Sequence, residues 1–284
     1  MHPPSVVNLS GYRFVRLDDL PLLQADLHAA LAACGVLGTV LLAEEGINVA
    51  LAGTRSACEA ARAALDADPR LAGLWLKESV SETVPFSRLK VRQRREIIAF
   101  DGEDALARAA ARPAAPALAP ERLRAWLDGG RELTLLDTRN DYEIASGTFR
   151  GACGLGIASF RDFGPAVEAA VADGRLDPSK PVVTFCTGGV RCEKAAPWLL
   201  EHGFAEVWQV EGGVLNWFER GGDRDGGEDG RYWEGDCFVF DDRVEIDLEG
   251  VPTGATLCTR CQRAVPAAAR CPCDQPSRTA IDTV

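Results

Sequence analysis

Pro181-Val-Val-Thr-Phe-Cys186-Thr-Gly-Gly-Val-Arg191-Cys192-Glu-Lys-Ala195 is the stretch from which the rest of the chain can be read. Val182 to Phe185 is a short apolar, β-branched run, the pattern of a parallel strand buried on both faces. It breaks at Cys186 into a loop containing Gly188 and Gly189. From about Cys192 the residues through Leu200 read as a helix, with a kink expected at Pro197, which lacks a backbone donor. A cysteine at a strand end, followed by glycines and a helix start, sits where backbone N–H groups converge. Such a place favours anions and lowers a thiol pKa. Arg191 adds a full positive charge. Cys186 is therefore expected to be a thiolate nucleophile near neutral pH, held by Gly188, Gly189 and Arg191. The plainer alternative is a buried structural cysteine beside a helix-capping glycine pair.

Outward from this stretch, strands and helices alternate. Pro120 to Leu127 starts a helix. Leu133 to Arg139 is an apolar strand ending in Asp137 and Arg139. Asp141 to Gly147 is a short helix with Asp141 as expected N-cap. Ala205 to Val210 is a further strand, and Glu211 to Trp217 opens a last helix. This alternation predicts a parallel α/β domain with its ligand site at the strand C-termini, where Cys186, Asp137 and Gly212 all fall. Asp137, Arg139 and Glu143 read as structural charge pairs.

The N-terminal part follows a different rhythm. Val6–Val15 reads as a strand and Leu20–Cys34 as a helix ended by Gly35 and Gly38. Val40–Leu42 and Ile47–Leu51 form a hairpin. Thr54 caps a helix over Arg55–Asp66, and Leu74–Lys77 and Leu89–Phe100 are two more strands. The order is that of a ferredoxin-like α+β unit. The expected organisation is a ferredoxin-like, acylphosphatase-like domain over residues 1–104 and an Ala/Pro-rich linker over 105–119. The α/β domain follows over 120–220, and an acidic connector with a cysteine-rich tail over 221–284.

Arg88, Lys90, Arg92, Arg94 and Arg95 place five cations within eight positions. Four of them alternate with Leu89, Val91 and Gln93, so a strand would set them on one face about 7 Å apart, close to a phosphate spacing. A solvated strand face would look the same. Net charge is −11, which argues against a generic nucleic-acid binder. The first 119 residues are nearly balanced, however, with 13 Lys/Arg against 14 Asp/Glu, and the acidity lies further on.

The loop from Cys186 to Arg191 resembles the active-site loop of rhodanese domains, in which a nucleophilic cysteine opens six residues. Related phosphatases carry one residue more. The resemblance implies a loop sized for sulfur and a persulfide on Cys186. Asp137-Thr-Arg139, Tyr142-Glu143, Gly147 and Phe149 resemble the first rhodanese signature and Glu211–Trp217 the closing one. Thr148 and Ala158 depart from it, where the family often has His and Pro. A narrower resemblance joins Ala43-Glu-Glu-Gly-Ile-Asn48, Leu89-Lys-Val-Arg92, Cys186–Ala195 and Cys237-Phe-Val-Phe-Asp241. These together resemble the rhodanese-domain tRNA uridine 5-hydroxylases, over most of the chain to about residue 245. That resemblance implies oxygen-dependent formation of 5-hydroxyuridine at the tRNA wobble position, with molecular oxygen as co-substrate. It also turns the basic run into an expected RNA contact. A rhodanese-type sulfurtransferase is the competing enzyme reading. A non-catalytic thiol or zinc-binding module is a third.

Cys192 lies six residues after Cys186 and could resolve a persulfide by forming a disulfide, or pack at the helix start. Cys258-Thr-Arg-Cys261 and Cys271-Pro-Cys273 form a four-cysteine cluster. Cys-x2-Cys is a fair zinc half-site and Cys-x-Cys a poorer one, because one intervening residue constrains the bite. The Ala/Pro/Arg sequence between them cannot build a core, so a metal would have to supply folding energy. The alternative is a tail of reduced thiols. Ten cysteines with no signal-like start point to reduced thiols, catalysis or metal, and to a cytoplasmic setting. No run of 18 apolar residues exists, so no membrane span is expected. His2, His28 and His202 are too scattered for an evident two-His-one-carboxylate site, and no Gly-x-Gly-x-x-Gly fingerprint announces a flavin. An electron donor is implied but not named by the residues.

Overall fold

The structure, a computed structural model, describes residues 6–100, 115–220, 230–271 and 273. The expected linker up to residue 114, the acidic connector over 221–229 and His2 lie outside the described residues.

The N-terminal part builds the expected strand–helix order. It comprises β1 (Val6–Phe14), α1 (Leu20–Cys34), β2 (Leu37–Ala43), β3 (Gly46–Gly53), α2 (Arg55–Asp66) and β4 (Lys77–Ser81). The sheet order is β4-β1-β3-β2, each neighbour antiparallel, and β5 (Leu89–Gln93) adds parallel to β2 at the edge. Both helices cover one face. Leu23, Leu27 and Leu31 of α1 and Cys58, Ala61 and Leu65 of α2 pack on Val7, Leu9, Val40, Leu42, Val49 and Leu51. Each fully buried Leu or Val contributes about 1.5–3 kcal/mol. The Thr54 side chain accepts from the Ala57 amide at 3.2 Å, capping α2 as expected, and Gly35 ends α1 at φ 76°.

Two strands differ from expectation. The strand expected over Leu74–Lys77 begins only at Lys77. Leu74 and Leu76 are buried but unpaired in the ladder, because the chain first crosses over β1 at Gly11. A Cβ there would lie 2.2 Å from the Trp75 carbonyl oxygen. The alternation recorded burial, not pairing. The strand expected to reach Phe100 stops at Gln93. Its partner β2 ends at Ala43, and the Arg94 amide makes the last ladder bond to Leu42 at 2.7 Å.

The second sheet is wholly parallel, in the order β6-β11-β10-β7-β9. The elements of this part of the chain, of which β8 lies outside that sheet, are β6 (Ala117–Leu118), α3 (Pro120–Asp128), β7 (Thr134–Asp137), α4 (Asp141–Ile144), β8 (Gly147–Phe149) and β9 (Cys153–Gly154). Then come α5 (Phe163–Ala172), β10 (Val182–Phe185), α6 (Cys192–Glu201), β11 (Val207–Val210) and α7 (Gly213–Glu219). The central strand β10 is buried along its whole length. α6 runs through Pro197 without interruption. The N-cap of α4 is Asn140 rather than the expected Asp141, which falls in the first turn.

Beyond residue 230, β12 (Trp233–Gly235) pairs with β8, and Trp233 joins Phe149, Phe185 and Trp217 in one buried aromatic cluster. β13 (Cys237–Phe238) pairs with β14 (Glu245–Ile246), and β15 (Thr256–Leu257) with β16 (Ala264–Val265).

Candidate active site

β10 delivers Cys186 to the C-terminal edge of the parallel sheet, where it is fully buried. The loop after it is gripped by α7. The amides of Val214 and Leu215 donate to the carbonyls of Cys186 and Thr187 at 2.9 and 3.1 Å. That approach requires Gly213, since a Cβ there would sit 2.3 Å from the Cys186 oxygen. Gly189, at φ 98°, turns its amide onto the Cys186 sulfur at 3.1 Å. Gly188 has open space where a Cβ would stand, so the loop can be approached closely.

The sulfur charge follows from this geometry. Burial opposes ionisation of Cys186. The Cys192 thiol, the Arg191 guanidinium and the amides of Arg191 and Gly189 outweigh it and lower the thiol to about 6. Burial, and the same hydrogen bond to Cys186, raise Cys192 well above its ordinary value. The proton therefore stays on Cys192 and the charge on Cys186. Cys192 also lies 3.9 Å from the Thr138 hydroxyl, and both cysteines are free thiols in this structure.

Arg191 is held at the end of the loop by two hydrogen bonds to Glu143, at 2.5 and 2.6 Å, with both side chains buried. Glu143 also accepts from the Asn140 amide at 3.1 Å. Asp137 and Arg139 form a separate pair, both fully buried, in which Arg139 also donates to the Gly147 carbonyl at 2.6 Å. Of the three charges flanking the first signature, Glu143 thus reaches the loop. Asp137 and Arg139 brace the strand end.

The N-terminal sheet closes over the loop. Its face opposite the helices lines a cavity of about 740 Å³ that also contains Cys186, Thr187, Gly188 and Arg191. Tyr12 of β1 donates to Glu193 at 3.1 Å, and its hydroxyl oxygen would lie 3.0 Å from a Cβ on Gly189. Burial, then the nearby charges of Glu193 and Cys186, hold its phenol above its ordinary value, so it stays neutral. Lys194 of α6 is buried between two carboxylates, 2.9 Å from Glu45 and 2.8 Å from Glu96, and donates to the Ile98 carbonyl at 3.0 Å. Glu45 and Lys194 belong to the two motifs Ala43–Asn48 and Cys186–Ala195. That co-occurrence was the available signal for the contact. Nothing local in the sequence marked Tyr12, which meets Glu193 from 181 positions away.

The basic run stands apart from the loop, at the sheet edge. Arg88, Arg92, Arg94 and Arg95 are exposed and Lys90 is half-buried. Strand register ties them to the cavity face. One cross-strand row runs Tyr12, Asn48, Leu41, Arg92, and the next runs Lys77, Ser10, Ala50, Thr39, Lys90. Three strand steps, about 14 Å, separate the Tyr12 and Arg92 positions.

The tail cysteines form the other cluster. The sulfurs of Cys258, Cys261, Cys271 and Cys273 all lie within 4.8 Å of one another. Three pairs stand at 3.2 to 3.6 Å. A tetrahedral tetrathiolate zinc requires sulfur separations of about 3.8 Å, so the donor set and spacing fit a metal ion.

A family model described as the UPF0176 acylphosphatase like domain matches residues 6–97, and one described as the rhodanese-like domain matches residues 119–220. A Bordetella petrii protein named tRNA uridine(34) hydroxylase is 47% identical over 89% of this chain and 97% of its own length. Proteins of the same name from Thiobacillus denitrificans and Cupriavidus taiwanensis are 45% and 44% identical, over 89% and 92% of this chain and 99% and 89% of theirs. With both units matched in order and the likeness running nearly end to end, the chain belongs to the tRNA uridine(34) hydroxylase family.

Proposed function

We propose that this chain converts the wobble uridine of tRNA to 5-hydroxyuridine with molecular oxygen as co-substrate, and that Cys186 is its essential nucleophile. The observation that carries this reading is that Cys186, with the Gly189 amide on its sulfur and Arg191 beside it, lines a cavity that the N-terminal sheet completes. Its volume of about 740 Å³ suits a nucleotide-sized ligand. The thiolate adds to uracil C6, and the displaced electron pair makes C5 nucleophilic. One oxygen atom enters at C5. The other leaves as water, with two electrons and two protons from a separate donor. Loss of the C5 hydrogen and departure of the thiolate restore the C5–C6 double bond. Cys192 supports the anionic sulfur, Gly188 and Gly189 leave room and supply an amide, and Arg191 fixes the loop from its seat on Glu143.

Arg88, Lys90, Arg92, Arg94 and Arg95 are assigned to the RNA backbone, since the register rows lead from Lys90 and Arg92 to the cavity wall. Zinc is assigned to Cys258, Cys261, Cys271 and Cys273, where it would supply folding energy to the tail. No helix among the described residues is long and apolar enough to cross a membrane. We place the reaction in the cytoplasm, with its tRNA substrate.

Nucleoside mass spectrometry of tRNA from cells with and without the gene tests this reading. Loss of 5-hydroxyuridine, restored by the wild-type chain and not by Cys186→Ser, is expected. Restoration by Cys186→Ser would eliminate the nucleophile assignment. Loss of a thiolated nucleoside instead would select sulfur transfer through a Cys186 persulfide.

A further inference from the structure

Large aromatic side chains are seldom left in solvent without a partner, and two of them stand at the cavity that holds Cys186. Trp75, on the segment leading into β4, is 53% exposed, and Phe240, just after β13, is 62% exposed. Both line the cavity. They come from distant segments of the chain, Phe240 facing Arg191 of the active loop and Trp75 the residue before α7. The Trp75 ring packs on Gly212, the residue before α7, so closely that a Cβ on Gly212 would lie 2.6 Å from it. The Phe240 ring lies 5.8 Å from the Arg191 guanidinium and edge-on to Phe238 at 5.3 Å. Each ring is thus braced from behind while keeping much of its surface in solvent.

From this we infer that Trp75 and Phe240 are stacking surfaces that hold the target uracil, turned out of the RNA strand, against Cys186. The inference rests on the tRNA reading above and adds the mode of recognition. A base stacked between its neighbours hides both faces of C6, so a thiolate can reach C6 only after the base leaves the stack. Leaving costs stacking energy, and exposed aromatic faces restore it without regard to sequence. The cavity volume of about 740 Å³ lies in the range of small-molecule sites, large enough for a single turned-out nucleotide. The charge arrangement agrees. Cations lie at the β5 edge, where a backbone would track, and the rings line the cavity that holds Cys186, where a base would end.

The test uses the full-length chain and two versions of an anticodon stem–loop RNA, one with uridine and one with an abasic residue at the wobble position. Dissociation constants are measured for both. Wild type is expected to bind the uridine RNA about 5- to 160-fold more tightly than the abasic RNA, the range that aromatic stacking of one base supplies. In Trp75→Ala/Phe240→Ala the ratio falls to about 1 while abasic binding is unchanged. Trp75→Phe, which keeps a ring, retains most of the discrimination. Unaltered discrimination in the double alanine variant overturns the inference and leaves the reaction standing. If wild type forms no 5-hydroxyuridine on full tRNA with oxygen and a reductant, the reading itself fails and this inference falls with it.

Discussion

The two cysteine groups of this chain are built by opposite means. Cys186 and Cys192 are carried by a fully buried strand and the start of a helix. The loop between them is fixed by backbone bonds from α7 and by a buried ion pair. The four tail cysteines sit around a two-residue-per-strand hairpin in which Leu257 is 48% exposed and Val265 is the one buried apolar side chain. In the first group the fold positions the sulfur, and the surrounding amides and thiol ionise it. In the second the proposed metal on the four sulfurs would hold the hairpin. The lesson is that similar local signals, two cysteines within a few residues of each other, carry opposite meanings. What decides is whether apolar surface is available to pack around them.

The largest way to break this contrast is to remove the ion pair behind the loop. Glu143→Ala leaves the Arg191 charge buried without its partner, and breaking such a pair costs about 3–5 kcal/mol. Denaturant unfolding should report a loss of that size together with loss of activity. A change below about 1 kcal/mol would mean that the loop does not depend on this support. A smaller and more local effect is expected in the tail. Cys271→Ser, or a strong chelator on wild type, should release bound zinc. Hydrogen exchange over residues 256–271 should then rise, while residues 182–199 stay protected. Exchange that rises in both regions would show the two groups to be one cooperative unit. The smallest effect concerns the sheet edge. Lys90→Ala/Arg92→Ala should weaken tRNA binding and reduce the slope of log affinity against log salt by about 1 to 2. An unchanged slope would return those cations to a solvated strand face.

Much of the fold was legible because burial patterns are local. The apolar run Val182–Phe185, the helix of Arg55–Asp66 with its Thr54 cap and the β2–β3 hairpin all stand where periodicity and capping put them. The misses have physical causes. Leu74 and Leu76 alternate like a strand because they cover the core, yet Gly11 lets them cross β1 instead of pairing with it. The chain after Gln93 is apolar enough to extend a strand. It turns instead, and Glu96 and the Ile98 carbonyl meet Lys194. In the site, Cys186, its glycines and Arg191 were readable because one contiguous loop carries them. Glu143, Tyr12 and Phe240 reach that loop, and Trp75 the neighbouring Gly212, from four other segments. Only tertiary structure makes those contacts, and no spacing rule encodes them.

The charge on Cys186 is where the account can be checked most directly. Thiolate absorbance in the ultraviolet can be titrated in a Cys192→Ala background with and without Cys186→Ser, and the difference separates the Cys186 sulfur from the tail cysteines. Because the folded pKa is depressed, the wild-type thiolate should persist above about pH 6 and disappear as pH falls through that value, with activity following the same limb. Without the Cys192 hydrogen bond the midpoint should rise, so a difference curve with its midpoint between about 6 and 9.0 is the predicted result. A midpoint at or above the ordinary thiol value of 9.0 would show that burial outweighs the loop amides and Arg191, and would contradict the account.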